Sequence, residues 1–510
     1  MLITPARLIR PQPRTDLLPV CMVIPPSAFL LDERVFVTLG ILKVAAVLEK
    51  AGHTVEMLDC SGVTNYLEAV ERHVRETAAQ VVALTTTTPQ LPAAVRIVER
   101  IRAVRPDLRI VLGGPHVTLV HAAMKLERKR GRTGRAHRAW THLEALFDVL
   151  VAGDGEIAVF PALEPDAPKL VDGDDPKTAL FMTNTVYDES PWPARHLVDL
   201  SSYRYTIEGH KATSLVAQLG CPFACGFCGG RNSNTLRRIR TRSTQNILDE
   251  IAYLHDVHGF TSWMFYDDEL NVSKSVVELM RGIAALQRVR NTEFRLRGFV
   301  KAELFTEEQA EAMYTAGFRW ILCGFEAAAP RILENINKKA TLEDNTRVVD
   351  ICRRYGLKVK ALMSIGHPGE SPETVCAVQD WLLDVHPDDF DCTVITNYPG
   401  TPYYDEAEET APGVWTYTCK KSGDRQHSLD VDFTQVADYY KGNPNGGYHA
   451  YVYTDNLTPE ELVRQRDDVE KTVRARLNIP FNPGAVAARY EHSMGQGLPD
   501  FILRMSKRGQ

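Results

Sequence analysis

From residue 20 to residue 156 the chain alternates between apolar runs of strand length and amphipathic segments of helix length. "VCMVIPP" (20–26), "TVEMLD" (54–59), "QVVALTTTT" (80–88), "LRIVLGG" (108–114) and "FDVLVAGDGE" (147–156) read as strands with the loops that leave them. "GILKVAAVLEKAGH" (40–53), "YLEAVERHVRETAA" (66–79) and "PAAVRIVERIRAVRP" (92–106) carry apolar residues at helical spacing between them. Strands joined by helical crossovers lie parallel and need cover on both faces, so this order predicts an α/β fold with a doubly wound, Rossmann-like sheet. Ligands of such sheets sit outside the carboxyl ends of the strands. The chain places Pro25-Pro26, Thr85 to Thr88, "GGPHVT" (113–118) and "GDGE" (153–156) there. The basic stretch "KLERKRGRTGRAHR" (125–138) reads as a solvated insertion.

Residues 160–210 are rich in Pro and Asp and weakly periodic, which reads as a linker. Six further strand–helix repeats run from "TSLVAQLG" (213–220) to "DCTVITNYPGTP" (391–402) and predict a partial or complete parallel (β/α)6 barrel of TIM type. The last ninety or so residues lose this rhythm, and a Gly-, Asn- and Tyr-rich stretch precedes a charged helix (458–476). A chain of 510 residues exceeds one ordinary core. The reading is therefore a sheet domain over 1–165, a linker over 166–208, a barrel over 209–410 and a small α+β unit over 411–510.

A net charge of −6 gives no general footprint for nucleic acid. No apolar run reaches the ~18 residues of a membrane span. The N-terminus "MLITPARLIRPQPR" lacks the apolar core of a secretory signal, so the expected compartment is the cytoplasm. Ten cysteines in such a chain point away from a disulfide framework, and three of them stand in "GCPFACGFCGG" (220–230). A structural zinc site wants a second Cys or His pair nearby, and none is present. The CxxxCxxC spacing of Cys221, Cys225 and Cys228 instead supplies three thiolates to a [4Fe–4S] cluster and leaves one iron open.

With Phe227 before the last cysteine, this loop resembles the signature of the radical S-adenosylmethionine (SAM) enzymes, which follows the first barrel strand. The resemblance implies that the open iron chelates SAM. An electron from an external donor of flavodoxin or ferredoxin type then cleaves SAM to methionine and a 5′-deoxyadenosyl radical. It further implies that "FYDDE" (265–269) meets the SAM amino group through Asp267 and Asp268, although each could equally be a strand-end cap. Arg297 would pair with the SAM carboxylate. Glu326 of "CGFEAA" would take the ribose or amino group, with a structural salt bridge as its competitor. Gly366 and Pro368 of "SIGHPGE" (364–370) would approach the adenine.

A doubly wound domain before such a barrel resembles the cobalamin-binding subfamily. That resemblance implies a corrinoid held by Pro26, Leu39, Gly40, Thr85, Thr86, Gly113, Gly114, Pro115, His116, Gly153, Gly155 and Glu156. A nucleotide-binding domain would want G-x-G-x-x-G after the first strand, and the chain lacks it. The Asp-x-His-x-x-Gly motif that places histidine on cobalt is absent from "LDCSGV" (58–63). Base-off cobalamin without a histidine ligand is therefore expected, with His116 on the corrin or its tail and a residue of the 59–66 segment or another loop under the cobalt. The implied activity is C-methylation of an unactivated carbon by methylcobalamin. The alternative is a cobalamin-dependent cyclase or rearranging enzyme without net methyl transfer. A sensor would need a docking or DNA-binding element, and a methylthiotransferase a second cysteine triad; neither is present. The expected substrate is a small biosynthetic intermediate, with a peptide or lipid precursor left open; Tyr398, Tyr403 and "NPNGGYHAYVY" (443–453) offer tyrosines and amides to its pocket, with a packed aromatic layer as the competing reading.

Overall fold

The structure is a computed structural model that describes residues 17, 19–27, 30, 33–439 and 448–480. The N-terminal stretch and residues 443–447 of the Gly-Asn segment lie outside them. Strands β1 (Val20–Ile24), β2 (Val55–Asp59), β3 (Val81–Thr85), β4 (Arg109–Gly113), β5 (Val149–Gly153) and β6 (Leu170–Gly173) form one parallel sheet in the order β2-β1-β3-β4-β5-β6. β1 is buried throughout because both its faces are covered. Cys21 and Val23 join one apolar layer with Val82, Ile110 and Leu150, while Val20, Met22 and Ile24 join the opposite layer with Ala83, Val111 and Val151. The strand order reverses beside β1, which opens a crevice at the carboxyl ends of β1 and β3.

Two segments differ from the sequence reading. The stretch expected to link the halves contains β6, which pairs with β5; four residues flanked by Pro and Asp are too few to show a period. The basic stretch is solvated over residues 128–133 and Arg138 but not at Arg135. It spans the end of the helix Pro115–Lys129 and the start of the helix Arg135–Leu146. Arg135 is 5% exposed, its guanidinium 3.6 Å from the Tyr404 ring and 4.7 Å from the Trp415 ring. Arg132 and Arg138 pair with Glu408 and Asp430. The stretch is a seam between the first sheet and the C-terminal region.

The second sheet uses β7 (Thr206–Ile207) and β8 (His210–Leu215). A small ribbon of β9 (Gln218–Leu219) and β10 (Arg240–Thr241) follows, then β11 (Ser262–Phe265), β12 (Arg295–Val300), β13 (Phe318–Glu326), β14 (Lys358–Ile365) and β15 (Asp389–Val394). Its order is β15-β14-β13-β12-β11-β8-β7, parallel except for the β7–β8 hairpin, so six parallel strands make the expected partial barrel. Trp263, Phe265, Leu296, Ile321 and Val359 face the helices, whereas Met264 and Leu322 face inward with Tyr205. The edge strand β15 is covered by the helix Pro459–Leu477. Glu470 accepts the Cys392 N–H at 2.6 Å, while Arg466 and Arg474 donate to the Cys392 and Phe390 carbonyls at 3.0 and 2.5 Å. Side chains take the place of a neighbouring strand. Four antiparallel strands, β16 (Glu408–Ala411), β17 (Val414–Thr418), β18 (Arg425–Leu429) and β19 (Val452–Thr454), form the C-terminal sheet.

Candidate functional site

A cavity of about 290 Å³ opens at the carboxyl ends of the first sheet, between the helices Leu39–Lys50 and Gly155–Leu163 and the start of the barrel. Leu39, Gly40, Thr85, Gly113, Gly114, Pro115, Gly153, Gly155 and Glu156 all line it. The glycines are dictated by space. Gly114 has φ +97, and a Cβ there would lie 2.5 Å from Thr85 Oγ1 and 2.9 Å from the Thr86 nitrogen. Gly153 has φ +85, and its Cβ would collide with the Gly173 backbone. Three expected residues stand elsewhere. Pro26 is buried off the cavity, and Thr86 lies behind the loop, its carbonyl accepting the His116 N–H. His116 is 1% exposed and bonded to Thr88 Oγ1 at 3.1 Å; burial pushes its pKa down to about 4. It is a neutral core histidine, and the lining contains no histidine.

Sequence reasoning missed the charged end of this cavity. Lys43, Tyr187, Arg195, Arg242 and Glu250 line it too. Glu250 is held by Arg195 at 2.5 Å and Arg242 at 2.6 Å, all three nearly buried. Burial lowers Lys43 to about 8, and its Nζ donates to the Pro191 carbonyl at 2.9 Å. These groups come from segments far apart in sequence, and no local motif announces them.

The cysteine loop lies against the same wall. Leu219, Thr235 and Leu236 line the cavity, and the Cys221 N–H donates to the Leu236 carbonyl at 3.0 Å. A Cβ on Gly229 would meet the Leu119 side chain, on the helix that follows "GGPH", at 3.3 Å. A Cβ on Gly226 would lie 2.5 Å from the Tyr403 ring, so only glycine fits there. Its N–H donates to the Ile336 carbonyl at 2.7 Å. The backbone is thus pinned, and none of the three cysteines is in a disulfide. Among the described residues, the one set of three donors drawn together as tightly as a single ion requires does not include them. Three thiols on one short glycine-bearing loop are the donor set that a [4Fe–4S] cluster with one open iron takes. Burial holds Cys221 at about 11, so binding iron would displace protons.

Above the loop, Phe227 packs edge-on to His367, with centroids 5.5 Å apart. The three acids after β11 separate by role. Asp267 is 2% exposed and accepts the Ala217 and Gln218 N–H groups at 3.1 and 2.6 Å; Asp268 accepts the Gly220 N–H at 3.1 Å. The Asp267 carboxylate fastens the strand that leads into the cysteine loop, the capping role that stood beside the SAM contact in the sequence reading. Glu269, unassigned from sequence, makes no side-chain hydrogen bond or ion pair among the described residues. Burial raises it to about 7 against the pull of Lys338 and Lys301. Glu326 sits at a break in the β13–β14 register with φ +67, a left-handed conformation costing on the order of 1–3 kcal/mol. It pairs with Lys338 at 3.0 Å and accepts from Ser364 at 2.8 Å. Burial would raise its pKa, but Lys338 and Ser364 hold it below the usual carboxylate range.

Arg297 is fully buried in the barrel interior beside Tyr205. It stands third in β12, three residues short of the carboxyl end where the SAM carboxylate was expected. Gly366 (φ +92) and Pro368 form the expected turn after β14, their carbonyls taken by Gln426 and Asn335 at 2.7 and 2.8 Å. Tyr398 packs on Phe433 and Tyr439, and Tyr403 is fully buried against Tyr417, so both are aromatic packing rather than pocket lining.

Residues 215–382 match the model of the radical SAM superfamily and residues 33–134 that of the B12 binding domain. The chain belongs to the cobalamin-dependent radical SAM enzymes. It is 25% identical over 409 residues to an uncharacterized methyltransferase of Pyrococcus horikoshii, covering 76% of this chain and 83% of that one. It is 25% identical over 379 residues to the anaerobic magnesium-protoporphyrin IX monomethyl ester cyclase of Cereibacter sphaeroides, covering 71% and 59%. Its fold is similar to that of the radical SAM methyltransferase TsrM from Kitasatospora setae, solved with tryptophan and a SAM analogue. The TM-score is 0.66 at 19% identity, with 96% and 95% of the two chains covered. For this radical SAM enzyme the cofactors are a [4Fe–4S] cluster, SAM and cobalamin. No helix among the described residues is long and apolar enough to cross a membrane.

Proposed function

We propose that this enzyme is a cobalamin-dependent C-methyltransferase acting on a small biosynthetic substrate, with Cys221, Cys225 and Cys228 holding the cluster. The observation that carries the reading is the shared wall: the strand and helix that frame the cysteine loop also line the corrinoid cavity. When bound, the cofactors supply a 5′-deoxyadenosyl radical that takes hydrogen from an unactivated carbon, and a methyl group on cobalt to replace it.

The chain's own residues bind and orient. The glycine loops of the first sheet leave room for a corrinoid tail, the cavity lying near the ~300 Å³ lower end of ligand pockets. No lining residue offers imidazole to cobalt, which supports base-off cobalamin without a histidine ligand. Glu269 and the Glu326–Lys338 pair present carboxylates beside the cysteine loop, suited to the amino group and ribose of SAM. Gly366 and Pro368 shape the turn for its adenine, with Phe227 beside them.

The Cereibacter relative favours a second reading, cyclisation without net methyl transfer. The test is anaerobic: reconstitute with iron, sulfide and hydroxocobalamin, add reductant and methyl-labelled SAM, and follow products by mass spectrometry. 5′-Deoxyadenosine together with labelled methylcobalamin and S-adenosylhomocysteine supports methyl transfer. Deoxyadenosine with cobalamin bound and never methylated selects cyclisation.

A further inference from the structure

At the edge of the first sheet, away from both cofactor sites, three donors of different chemistry converge. Cys21 on β1 and Glu56 on β2 are direct neighbours across the parallel ladder. His73 reaches them from the helix Tyr66–Glu76, which covers that face. The Cys21 sulfur, a Glu56 oxygen and a His73 nitrogen all lie within 4.8 Å of one another, and His73 Nε2 stands 3.0 Å from Glu56 Oε2. We propose that Cys21, Glu56 and His73 form a binding site for one divalent zinc ion, with water as the fourth ligand.

Zinc takes sulfur, nitrogen and carboxylate oxygen at about 2.0–2.3 Å, which sets tetrahedral ligand atoms about 3.3–3.7 Å apart. The three donors need move by about an ångström to meet that spacing. Each is fixed by a different element of the fold, so the convergence belongs to the tertiary structure rather than to a flexible loop. The Glu56 oxygen that meets His73 has a second partner. Thr77 Oγ1 donates to Glu56 Oε2 at 2.5 Å and itself accepts the Ala79 N–H at 3.0 Å, the outer support that metal ligands commonly have. Entry is open on one side: the His73 and Glu56 side chains are 30% and 29% exposed, while Cys21 is wholly buried.

A hydrogen bond joins His73 and Glu56, and the Cys21 sulfur, at the edge of its apolar layer, lies within reach of both. Zinc would take the sulfur as thiolate, the thiol proton leaving for solvent as the sulfur–zinc bond forms. The site would tie β1, β2 and their covering helix together, a structural rather than catalytic role.

The test uses the full chain with its cluster reconstituted, so that Cys221, Cys225 and Cys228 are occupied. The protein is dialysed against zinc chloride, then against buffer, and its metal content is measured. The expected result is one zinc per chain in the wild type, lost in Cys21→Ser and in His73→Gln, with a zinc-dependent rise in Tm in the wild type alone. Iron content and cobalamin uptake should be equal in all three proteins, which separates this outcome from any failure of the functional reading. Cys21→Ser nearly keeps the volume, and His73 is partly exposed, so at least one variant should fold. A wild type that retains no zinc, or variants that retain as much as the wild type, would overturn the proposal.

Discussion

The two cofactor regions are built from different materials. The cavity proposed for the corrinoid is mostly absence: glycines whose missing Cβ atoms leave room beside Thr85 and Gly173, and apolar strand ends. The barrel mouth is mostly charge: Lys338 pairs with Glu326 and holds it below the usual carboxylate range, while burial raises Glu269. A site made of space is damaged by adding atoms. A site made of paired charge is damaged by removing one partner.

The largest effect expected is loss of the cluster itself. Cys225→Ala should bring 5′-deoxyadenosine formation to background while hydroxocobalamin still binds, as read by mass spectrometry and by the corrinoid spectrum. Loss of both together would mean the regions are one cooperative unit. Next is Gly114→Val. A side chain at φ +97 with contacts under 3 Å should cost several kcal/mol, of which the backbone alone contributes on the order of 1–3 kcal/mol. Corrinoid affinity should fall at least tenfold with the iron–sulfur spectrum unchanged; unaltered affinity would show that the cavity is not the corrinoid's.

Glu326→Gln and Asp267→Asn sharpen the contrast within the barrel. Removing the Glu326 charge strands Lys338, a loss of order 3–5 kcal/mol for a buried pair, and should weaken SAM binding tenfold or more. Asp267→Asn should lower Tm but leave SAM affinity within about twofold, because that carboxylate serves the Ala217 and Gln218 amides. Equal effects on SAM would return Asp267 to the cofactor.

The smallest effect is a pH slope. Burial raises Glu370 and Asp405 to about 7, so both bind protons more tightly folded than unfolded. Stability from these groups is therefore greatest below the unfolded carboxylate range and falls as pH rises towards 7. Denaturation of the cofactor-free protein between pH 5 and 7 should show this decline, and Glu370→Gln should flatten it. A slope that Glu370→Gln leaves unchanged would place the proton elsewhere.

Legibility followed the same division. The parallel sheets were readable because buried strands are continuous apolar runs, and the cysteine loop because three thiols at fixed spacing have few other uses. Nine of the twelve residues named for the corrinoid line the cavity, since glycine at a strand end marks a backbone need that is local. His116 failed because its neighbour in space, Thr88, is not its neighbour in sequence. Asp267, Asp268 and Glu269 are consecutive and chemically alike; which one is left without a hydrogen-bond partner depends on where the 217–220 backbone comes to rest. Arg135 looked like solvated charge until Tyr404 and Trp415 came to lie on either side of it. β6 was too short to declare itself.

The helix Pro459–Leu477 imitates a strand with three side chains, satisfying the backbone of β15 without offering an edge of its own. An exposed ladder edge is a template for any other chain that can pair with it, and this device ends the ladder with nothing left to copy. It also makes closure reversible in a way a seventh strand would not be: cutting the chain before residue 459 would leave the barrel strands intact yet expose β15, and the truncated protein should self-associate through that edge. The helix is in that sense a built-in chaperone for the barrel it completes.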